Sequence, residues 1–383
     1  MIQEENDNAP KEVKPFLPLI LGIVLSIGVV IGYFLSFKNR GAGITNLKEN
    51  FSGEKMASVI EYIHSNYVDT INKTSLEEKA ITALLHGLDP HSDYIPASEF
   101  QQVNEPLQGN FEGIGVEFNI LNDTITVVTP ISGGPAEKAG INAGDKIIKV
   151  EKENVAGVKI SNKKVFGLLR GKKGTTVKVS IMRGRAKTLS EINITRGEIP
   201  LFSVDVSYMI KPSVGYIKIS RFAMTTYDEF VNAYQNLSRK GMKKMILDLR
   251  GNPGGVLPAA VNMCDEFLSK GYTIVYTMGK SNPKRIHKST SKGGFENGQV
   301  VILIDEGSAS ASEIVAGALQ DNDRAIIVGR RSFGKGLVQE QLDLSDGSAI
   351  RLTVARYYTP TGRCIQKPYS EDKEAYYEEE FNR

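Results

Sequence analysis

Hydrophobic residues follow several different patterns along this chain. Residues 16–37 form an uncharged apolar run, whereas residues 51–100 carry apolar residues at spacings of three and four, which predicts two amphipathic helices. The second helix is predicted to end at Gly87 and Pro90. Residues 111–196 show short alternating runs between glycine turns, which predict strands. The chain is therefore divided into regions of different structure.

The apolar run at residues 16–37 predicts an uncleaved membrane anchor. A helix of about 22 residues is long enough to cross the hydrocarbon core of a bilayer. A cleavable signal peptide is the alternative, but its apolar part usually covers only about 7–15 residues before a small-residue cleavage site. Basic residues lie on both sides of the run, so the positive-inside rule leaves its orientation open.

The region from residue 111 to residue 196 predicts a small, independent α+β module. Residues 176–182 alternate apolar and polar side chains with a period of two, and strands are also predicted at residues 125–128 and 146–150. Residues 161–169 have the pattern of a short helix.

A glycine-rich turn lies at the start of this module, where Gly113, Ile114, Gly115 and Val116 alternate glycine with apolar residues. Backbone N–H groups exposed on such a turn could bind a terminal carboxylate, while the next strand edge pairs with an extended peptide. An ordinary tight turn explains the same residues equally well.

Strands and helices alternate from about residue 199 onward. The predicted elements are helices at 258–268 and 312–319, strands at 215–220, 244–249, 273–276, 300–305 and 325–328, and a final antiparallel pair at 337–344 and 348–357. This order predicts an α/β domain with a buried, largely parallel sheet.

Composition removes some classes of function. The formal net charge is only +3, which gives no electrostatic case for nucleic-acid binding. Cys264 and Cys364 show neither metal-ligand spacing nor a disulfide framework. They either pair in an oxidising compartment or remain as buried free thiols.

A run of serines follows the predicted strand at residues 300–305. Residues 308–313 have the sequence Ser-Ala-Ser-Ala-Ser-Glu and lead into a helix. A strand-to-helix turn places a small nucleophile at the sheet edge, where helix N–H groups can stabilise an oxyanion. The alternative is that these serines only cap the helix. The pattern alone does not identify which serine would react.

A serine nucleophile needs a base, and the four histidines are poorly placed to supply one. His64, His86 and His91 lie in the N-terminal helical region and His287 in a basic loop, although a Ser–His–Asp triad can assemble from any chain order. His91 is interpreted as part of an ordered polar turn rather than as a catalytic residue.

Lysine is the other candidate base, provided that burial lowers its pKa. Lys335 lies between glycines, beside Phe333 and Leu337, which could shield its amine from water. Gln339 follows four residues later, so both side chains share a face and the amide could orient the amine. A flexible surface lysine is the alternative.

A second glycine-rich turn follows the predicted strand at residues 244–249. It contains Gly254 and Gly255, whose N–H groups fit a second oxyanion donor. A phosphate-binding loop is the alternative, but no Gly-Lys-Ser/Thr follows. Asp248 is predicted to brace this turn rather than to act as an acid.

Together these motifs resemble the carboxy-terminal processing peptidases, a family of tail-specific serine proteases. The resemblance covers about residues 81–367 and includes the Leu-Asp-Pro-His-Ser-Asp-Tyr segment at residues 88–94. Ser310 and Lys335 are 25 residues apart, and Gln339 follows four residues later, as in the family's Ser–Lys–Gln set. The resemblance implies that Ser310 is the nucleophile, that Lys335 is the general base and that Gln339 orients it.

The resemblance also implies roles outside this trio. Backbone N–H groups of Ala311 and of Gly254 or Gly255 would form the oxyanion hole. The middle module is similar to a PDZ domain that binds substrate C-termini through residues 113–116. Arg170 would correspond to a PDZ arginine that couples ligand binding to the active site. Neither a cofactor nor a metal is expected.

The expected architecture is multidomain and mixes α+β and α/β domains. Its parts are a cytoplasmic stub and transmembrane anchor at 1–40, a helical segment at 41–102, a PDZ domain at 103–198 and a crotonase-like α/β serine peptidase core at 199–383. Family members commonly continue with a further helix and a closing strand. We therefore expect a truncated chain or an unusually short member.

The leading hypothesis is a membrane-anchored serine endopeptidase that acts on proteins with accessible apolar C-termini. Because the family usually works outside the cytoplasm, a periplasmic or extracellular catalytic part is expected. Homo-oligomerisation is left open. One alternative is a catalytically silent, membrane-anchored PDZ adaptor. Another is a crotonase-like acyl-CoA enzyme, which would explain the core but neither the PDZ module nor the lysine.

Overall fold

This computed structural model describes residues 53–184, 186, 188–369 and 376. The predicted membrane anchor at residues 16–37 lies outside the described residues. Within them, no helix has both the length and the apolar character that a bilayer crossing requires. Internal contacts divide the chain into two compact units, one ending at Lys79 and one beginning at Ala80.

The first unit contains helix α1 (Gly53–Asn66) and the start of helix α2 (Lys73–His86). Glu61 and Lys73 form an ion pair of 2.8 Å between Oε2 and Nζ. Two helices were predicted in this region, and this prediction is confirmed.

The second unit begins with a short strand, β1 (Asp93–Ile95), and helix α3 (Phe100–Gln108). Gly109 ends α3 with a φ of 82°, and a Cβ atom there would lie 2.5 Å from Thr225 Oγ1, so both conformation and space favour glycine. The predicted domain boundary between residues 102 and 103 falls inside this helix.

The middle module is a small antiparallel sheet with two helices. Its elements are β2 (Asn110–Gly113), β3 (Val116–Leu121), β4 (Thr124–Pro130), α4 (Pro135–Lys138), β5 (Lys146–Val150), β6 (Glu153–Asn154), α5 (Asn162–Leu169), β7 (Thr176–Met182), β8 (Ser190–Thr195) and β9 (Gly197–Pro200). The main sheet has the order β3-β4-β5-β7-β8, with β6 paired to β5, and β2 pairs separately with β9.

Alternation in β7 shows why this module folds as predicted. Val177, Val179 and Ile181 are buried in one hydrophobic cluster, which places them on the inner face of the sheet. Ser161 begins α5 by accepting a hydrogen bond from the N–H of Lys164 at 3.3 Å.

The described residues from 204 to 369 form three helices and two sheets, one of which also includes β1. Its elements are β10 (Val204–Lys211), β11 (Val214–Ile219), α6 (Thr226–Arg239), β12 (Lys244–Asp248), α7 (Leu257–Asp265), β13 (Thr273–Met278), β14 (Arg285–Lys288), β15 (Gln299–Ile304), α8 (Ala311–Asp321), β16 (Ile326–Gly329), β17 (Leu337–Asp343) and β18 (Ala349–Tyr358).

The first of these sheets has the order β10-β11-β12-β15-β16. β11, β12, β15 and β16 run parallel, and only β10 is antiparallel. The predicted parallel sheet is therefore confirmed. Because β12 and β15 are parallel neighbours, the turns after them meet at the same edge of the sheet. The Asp248 turn and the serine turn thereby become adjacent.

The second sheet has the order β1-β18-β13-β14, with β17 paired to β18. The antiparallel pair β17–β18 confirms the prediction for the end of the chain. The strand predicted at residues 273–276 was wrongly grouped with the parallel sheet, because β13 pairs antiparallel with β14 and β18. An apolar run indicates a strand but does not specify its partner. β14 lies at the edge of this sheet.

Both cysteines are free, which contradicts the alternative that they pair. Cys264 is buried as expected, and burial raises its pKa well above the usual range for a thiol. Cys364 is exposed, which contradicts the alternative of two buried thiols.

Candidate active site

The turn between β15 and α8 distinguishes its three serines. Ser308 and Ser312 are fully buried, and their hydroxyl groups donate to the carbonyls of Leu249 at 2.8 Å and Asn252 at 3.0 Å. These two serines therefore fasten the turn to the neighbouring glycine-rich turn. Ser310 lies between them and lines an open cleft.

Ser310 has an unusual backbone conformation, with φ 54° and ψ −111°. Positive φ is rare for a residue other than glycine and costs about 1–3 kcal/mol unless the surroundings enforce it. The hydrogen bonds of Ser308 and Ser312 supply that enforcement on both sides. The strained turn presents the Ser310 side chain at the N-terminus of α8, where the N–H groups of Ser312 and Glu313 donate to backbone carbonyls of the same turn and, within the described part of the chain, that of Ala311 does not.

The glycine-rich turn after β12 packs directly against Ser310. A Cβ atom on Gly254 would lie 2.7 Å from Ser310 Cβ and 2.8 Å from the nitrogen of Ala311, and Gly254 has a φ of 92°. The Gly254 N–H donates to Asn252 Oδ1 at 2.9 Å. Among the described residues no acceptor receives the N–H of Gly255 or Ala311. Of the two predicted glycines, Gly255 therefore has the available donor.

Asp248 braces this turn, as predicted. It is fully buried and accepts hydrogen bonds from the backbone and guanidinium of Arg250 and from Tyr216 Oη at 2.6 Å. Burial alone would raise the pKa of Asp248, but these hydrogen bonds lower it below its usual value. Burial and the Asp248 carboxylate raise the pKa of Tyr216 to about 12.

Lys335 lies on the opposite side of the cleft, just before β17. Its Nζ donates to Gln339 Oε1 at 3.0 Å, so the predicted pairing is present in the structure. Burial and the charge of Arg351 lower the pKa of Lys335, while Asp89 and Glu313 oppose this shift. Among the described side chains, Lys335 makes no hydrogen bond to Ser310 Oγ. Both residues line the same cleft of about 520 Å³.

Gln339 is itself held by the turn at residues 88–94. Its Nε2 donates to the carbonyl of His91 at 2.7 Å. Asp89 shapes that turn, because Oδ1 accepts the N–H groups of His91 and Ser92 at 2.8 and 2.7 Å, and Oδ2 accepts the Ser92 hydroxyl at 2.6 Å. The Ser92 hydroxyl also accepts the N–H of Thr353 on β18 at 3.1 Å.

Glu313 connects the two sides of the cleft. Its side chain is almost fully buried, and its carboxylate accepts the N–H groups of Ser310 and Lys335, each at 2.8 Å. The same carboxylate accepts the N–H of Gly334 and the hydroxyl of Ser332, each at 2.7 Å. Burial raises the pKa of Glu313, and these hydrogen bonds oppose the rise.

Tyr357 makes a second connection between the two sides of the cleft. Its hydroxyl group donates to the carbonyls of Ser310 and Lys335.

The histidines occupy other positions. His91 lies in an ordered turn, as predicted, because Asp89 accepts its N–H and its Nε2 lies 2.9 Å from Tyr376 Oη. Asp93 and Tyr94, which were predicted in the same turn, belong to β1 instead. His287 lies on β14, and His64 and His86 lie in the last turns of α1 and α2. Among the described residues no group of three or more His, Cys, Asp or Glu side chains could hold a metal ion.

The PDZ-like module contributes the predicted turn and Arg170. Gly115 has a φ of 74°, and a Cβ atom there would lie 2.7 Å from Ile199 Cδ1, so the turn requires glycine. Arg170 forms an ion pair with the buried carboxylate of Glu105 on α3, and its guanidinium lies 4.8 Å from the ring centroid of Phe111. Burial raises the pKa of Glu105 despite Arg170.

Sequence reasoning missed the roles of Glu313, Asp89, Tyr357 and Arg351 at this site. Glu313 could have been noticed as the acidic residue three positions after Ser310, in the spacing of a capping box. The other three lie far from Ser310 in sequence. Asp89 belongs to the segment at residues 88–94 that carries part of the resemblance, but no local pattern indicates its role or that of Tyr357 or Arg351.

Known protein families match two regions of this chain. The family model of peptidase family S41 matches residues 213–373, and a PDZ-domain model matches residues 113–194. The carboxy-terminal processing protease CtpA of Bacillus subtilis is 35% identical over 350 residues, which cover 90% of this chain and 74% of that protein. A carboxy-terminal-processing protease of Bartonella bacilliformis is 35% identical over 355 residues, covering 91% and 79%.

One solved structure is also similar to this chain. A photosystem II D1 C-terminal processing protease is 31% identical, with a TM-score of 0.45, and the match covers 81% of this chain and 84% of that one. The resemblance drawn from the motifs is confirmed by the curated relatives: this chain belongs to the carboxy-terminal processing serine proteases of peptidase family S41 and carries a PDZ domain.

Proposed function

We propose that Ser310 is the nucleophile and Lys335 the general base of this protease. The observation that carries the proposal is that both side chains line one cleft, where burial and Arg351 lower the pKa of the lysine. A lowered pKa increases the fraction of neutral amine, which is the form that can accept a proton. Gln339 holds this amine through its amide oxygen.

In the proposed reaction, Lys335 accepts the Ser310 proton as Oγ attacks the scissile carbonyl carbon. The negative charge that develops on the carbonyl oxygen is stabilised by the N–H groups of Ala311 and Gly255, at the N-terminus of α8. The lysine then protonates the leaving amine, and water hydrolyses the acyl-enzyme. Because Lys335 makes no hydrogen bond to Ser310 Oγ among the described side chains, its amine has to move toward Ser310 when substrate binds, and it can still donate to Gln339 as it does so.

The PDZ domain is proposed to bind apolar C-termini of protein substrates at residues 113–116. Support for a link to catalysis comes from α3. Glu105 on this helix pairs with Arg170, and the next two residues, Pro106 and Leu107, line the catalytic cleft. A shift of Arg170 on peptide binding would therefore move a wall of the cleft. Arg170 is assigned a regulatory role on this basis.

The apolar run at residues 16–37 is proposed to anchor the enzyme in a membrane. With the N-terminus in the cytoplasm, the catalytic part would act in the periplasm or outside the cell. This assignment rests on the length and lack of charge of the run.

The test is proteolysis of an unstructured protein with an apolar C-terminus by the full chain. We expect cleavage by the parent, loss of at least about 10³-fold in kcat for Ser310→Ala and for Lys335→Ala, and near-parental cleavage by His91→Ala. Equal losses for His91→Ala and Lys335→Ala, with normal folding of both, would instead indicate a histidine base. Binding without cleavage by the parent would favour an adaptor.

A further inference from the structure

A second groove continues the catalytic cleft away from Ser310. It has a volume of about 580 Å³ and shares Leu257, Pro258 and Val338 with the cleft of about 520 Å³ that contains Ser310 and Lys335. A polypeptide bound across Ser310 in an extended conformation advances about 3.3 Å per residue, so a few residues beyond the cut would enter this groove.

One wall of this groove is strongly basic. Lys284, Arg285 and His287 line it, and Lys280 and Lys288 flank the same nine-residue segment. The lysines and the arginine are exposed, whereas His287 is half-buried. Arg285 lies opposite Thr277 and His287 opposite Val275, so the two side chains share one face of β14.

These cations differ from three arginines of the same domain. Arg250, Arg330 and Arg363 each form an ion pair with an Asp or Glu. Among the described residues, Lys280, Lys284, Arg285 and Lys288 form none.

The groove therefore has an excess of positive charge. Rather than pairing with a carboxylate, Lys284 Nζ lies 4.0 Å from the ring centroid of Tyr276. Burial and the nearby Arg285 lower the pKa of His287, as expected where the potential is already positive. Glu340 is the one acidic residue among those that line the groove, and the cations outnumber it.

We infer that this basic groove binds an acidic stretch of the polypeptide substrate beside the scissile bond. The occupant is a polypeptide because the groove is continuous with the proteolytic cleft, and it is acidic because the wall carries cations without carboxylate partners. The inference rests on the proposed role of Ser310. It adds a second specificity element to the apolar C-terminus proposed for the PDZ domain. Charge complementarity of this kind mainly affects the rate of encounter and the choice of partner.

The experiment compares two unstructured peptides with the same apolar C-terminus and the same residues at the cut. One carries Asp and Glu on both sides of the cut, and the other carries Asn and Gln at the same positions. For the full chain at about 50 mM salt we expect kcat/KM to be at least about fivefold higher for the acidic peptide, and this ratio to fall at high salt because the charges are screened.

Two double variants test whether the preference for the acidic peptide arises in the groove. In the double variant Lys284→Glu with Arg285→Glu, the ratio of kcat/KM for the acidic peptide to that for the amide peptide is expected to fall to one or below. The reason is that cleavage of the acidic peptide becomes slower while cleavage of the amide peptide is unchanged. The matched control is the double variant Lys240→Glu with Lys243→Glu, which makes the same change in charge. Both positions are exposed and lie near the amino end of β12, whereas the Ser310 turn follows the carboxyl end of β15. This control should retain the parental ratio.

Three results would overturn the inference. They are a parental ratio near one, a control variant that lowers the ratio as much as the groove variant, and a groove variant that changes both peptides equally. The proposed function is tested separately, because cleavage of the amide peptide must be lost in Ser310→Ala whether or not the groove selects acidic residues.

Discussion

The two sides of the catalytic cleft are built in different ways. Ser310 is positioned by two neighbouring strand ends of one parallel sheet, through Ser308 and Ser312 and their partners on the adjacent turn. Lys335 depends on Gln339, which is held by a turn 248 residues earlier in the chain. Ser310 is therefore fixed by the sheet itself, whereas the orientation of Lys335 depends on long-range contacts.

Only a few groups couple these two sides. Glu313 binds the backbone N–H groups of both Ser310 and Lys335, and Tyr357 binds their carbonyls. This comparison predicts that changes to the Glu313 carboxylate will disturb both sides of the cleft. It also predicts that changes on the Lys335 side will alter catalysis more than folding.

The largest effect is expected for Glu313→Ala. Removing the carboxylate leaves four donors without their acceptor, so we expect the free energy of unfolding to fall by about 3 kcal/mol. We also expect kcat to fall at least about 100-fold because both reacting groups lose their alignment. Denaturant titration and peptide kinetics measure the two effects. Glu306→Ala, which removes only an exposed ion pair with Arg330, should leave both unchanged.

A smaller effect, confined to the lysine side, is expected for Asp89→Ala. The turn that presents the His91 carbonyl would lose its three acceptor contacts, so Gln339 and Lys335 would be less well oriented. We expect kcat to fall about tenfold with little change in KM.

Asp89→Asn provides the control for this prediction. It keeps an oxygen for the N–H groups of His91 and Ser92 but removes a charge that raises the pKa of Lys335. This variant should retain most of kcat. The acid limb of its kcat–pH profile should move to lower pH, because the pKa of Lys335 falls when the charge is removed. Equal losses in the two variants would contradict a positioning role.

Arg351→Gln is expected to change the pH dependence of cleavage. Arg351 lowers the pKa of Lys335, so its removal raises that pKa. Because the neutral amine is the active form, the acid limb of the kcat profile should move to higher pH, with loss of activity below it and near-parental activity above it. Arg356→Gln is the control, since Arg356 does not influence Lys335. An unchanged profile in Arg351→Gln would argue against a lysine base.

The smallest effect is expected for Tyr357→Phe, which removes a hydroxyl group and keeps the buried ring. The carbonyls of Ser310 and Lys335 would lose one donor, and we expect a decrease of about 1 kcal/mol in the free energy of unfolding and a few-fold loss in kcat. Thermal unfolding and kinetics should show both. A loss as large as that of Glu313→Ala would mean that the hydroxyl, not the carboxylate, is the main coupling group.

The same comparison explains what the sequence could predict. Residues 176–182 were predicted as a strand with the bounds that β7 has, because alternation reports burial on one face directly. The order of strands and helices likewise predicted the parallel sheet. The strand at residues 273–276 was assigned to the wrong sheet because its partners, β14 and β18, are specified by contacts and not by its own residues.

The candidate site was predictable to a similar extent. The serine run and the lysine were visible as motifs, and the family resemblance assigned their roles. The residues alone could not separate Ser310 from Ser308 and Ser312, because the difference depends on the carbonyls of Leu249 and Asn252, about 60 residues away. Asp89 positions Lys335 through His91 and Gln339, in addition to raising its pKa, and local spacing cannot reveal such a chain of contacts.

The contact between Gln339 and His91 also determines when the site can form during synthesis of the chain. Proteins are synthesised at about 5–20 residues per second, so about 12–50 seconds separate the appearance of these two residues at the ribosome. Pairings between segments so distant in sequence also form late in folding, because closing a long loop costs entropy before it yields a contact. During that interval the nascent chain has a serine turn, but Lys335 lacks the contact that orients it. On the proposed role of Lys335, the protease therefore acquires its activity only after most of its own chain has folded.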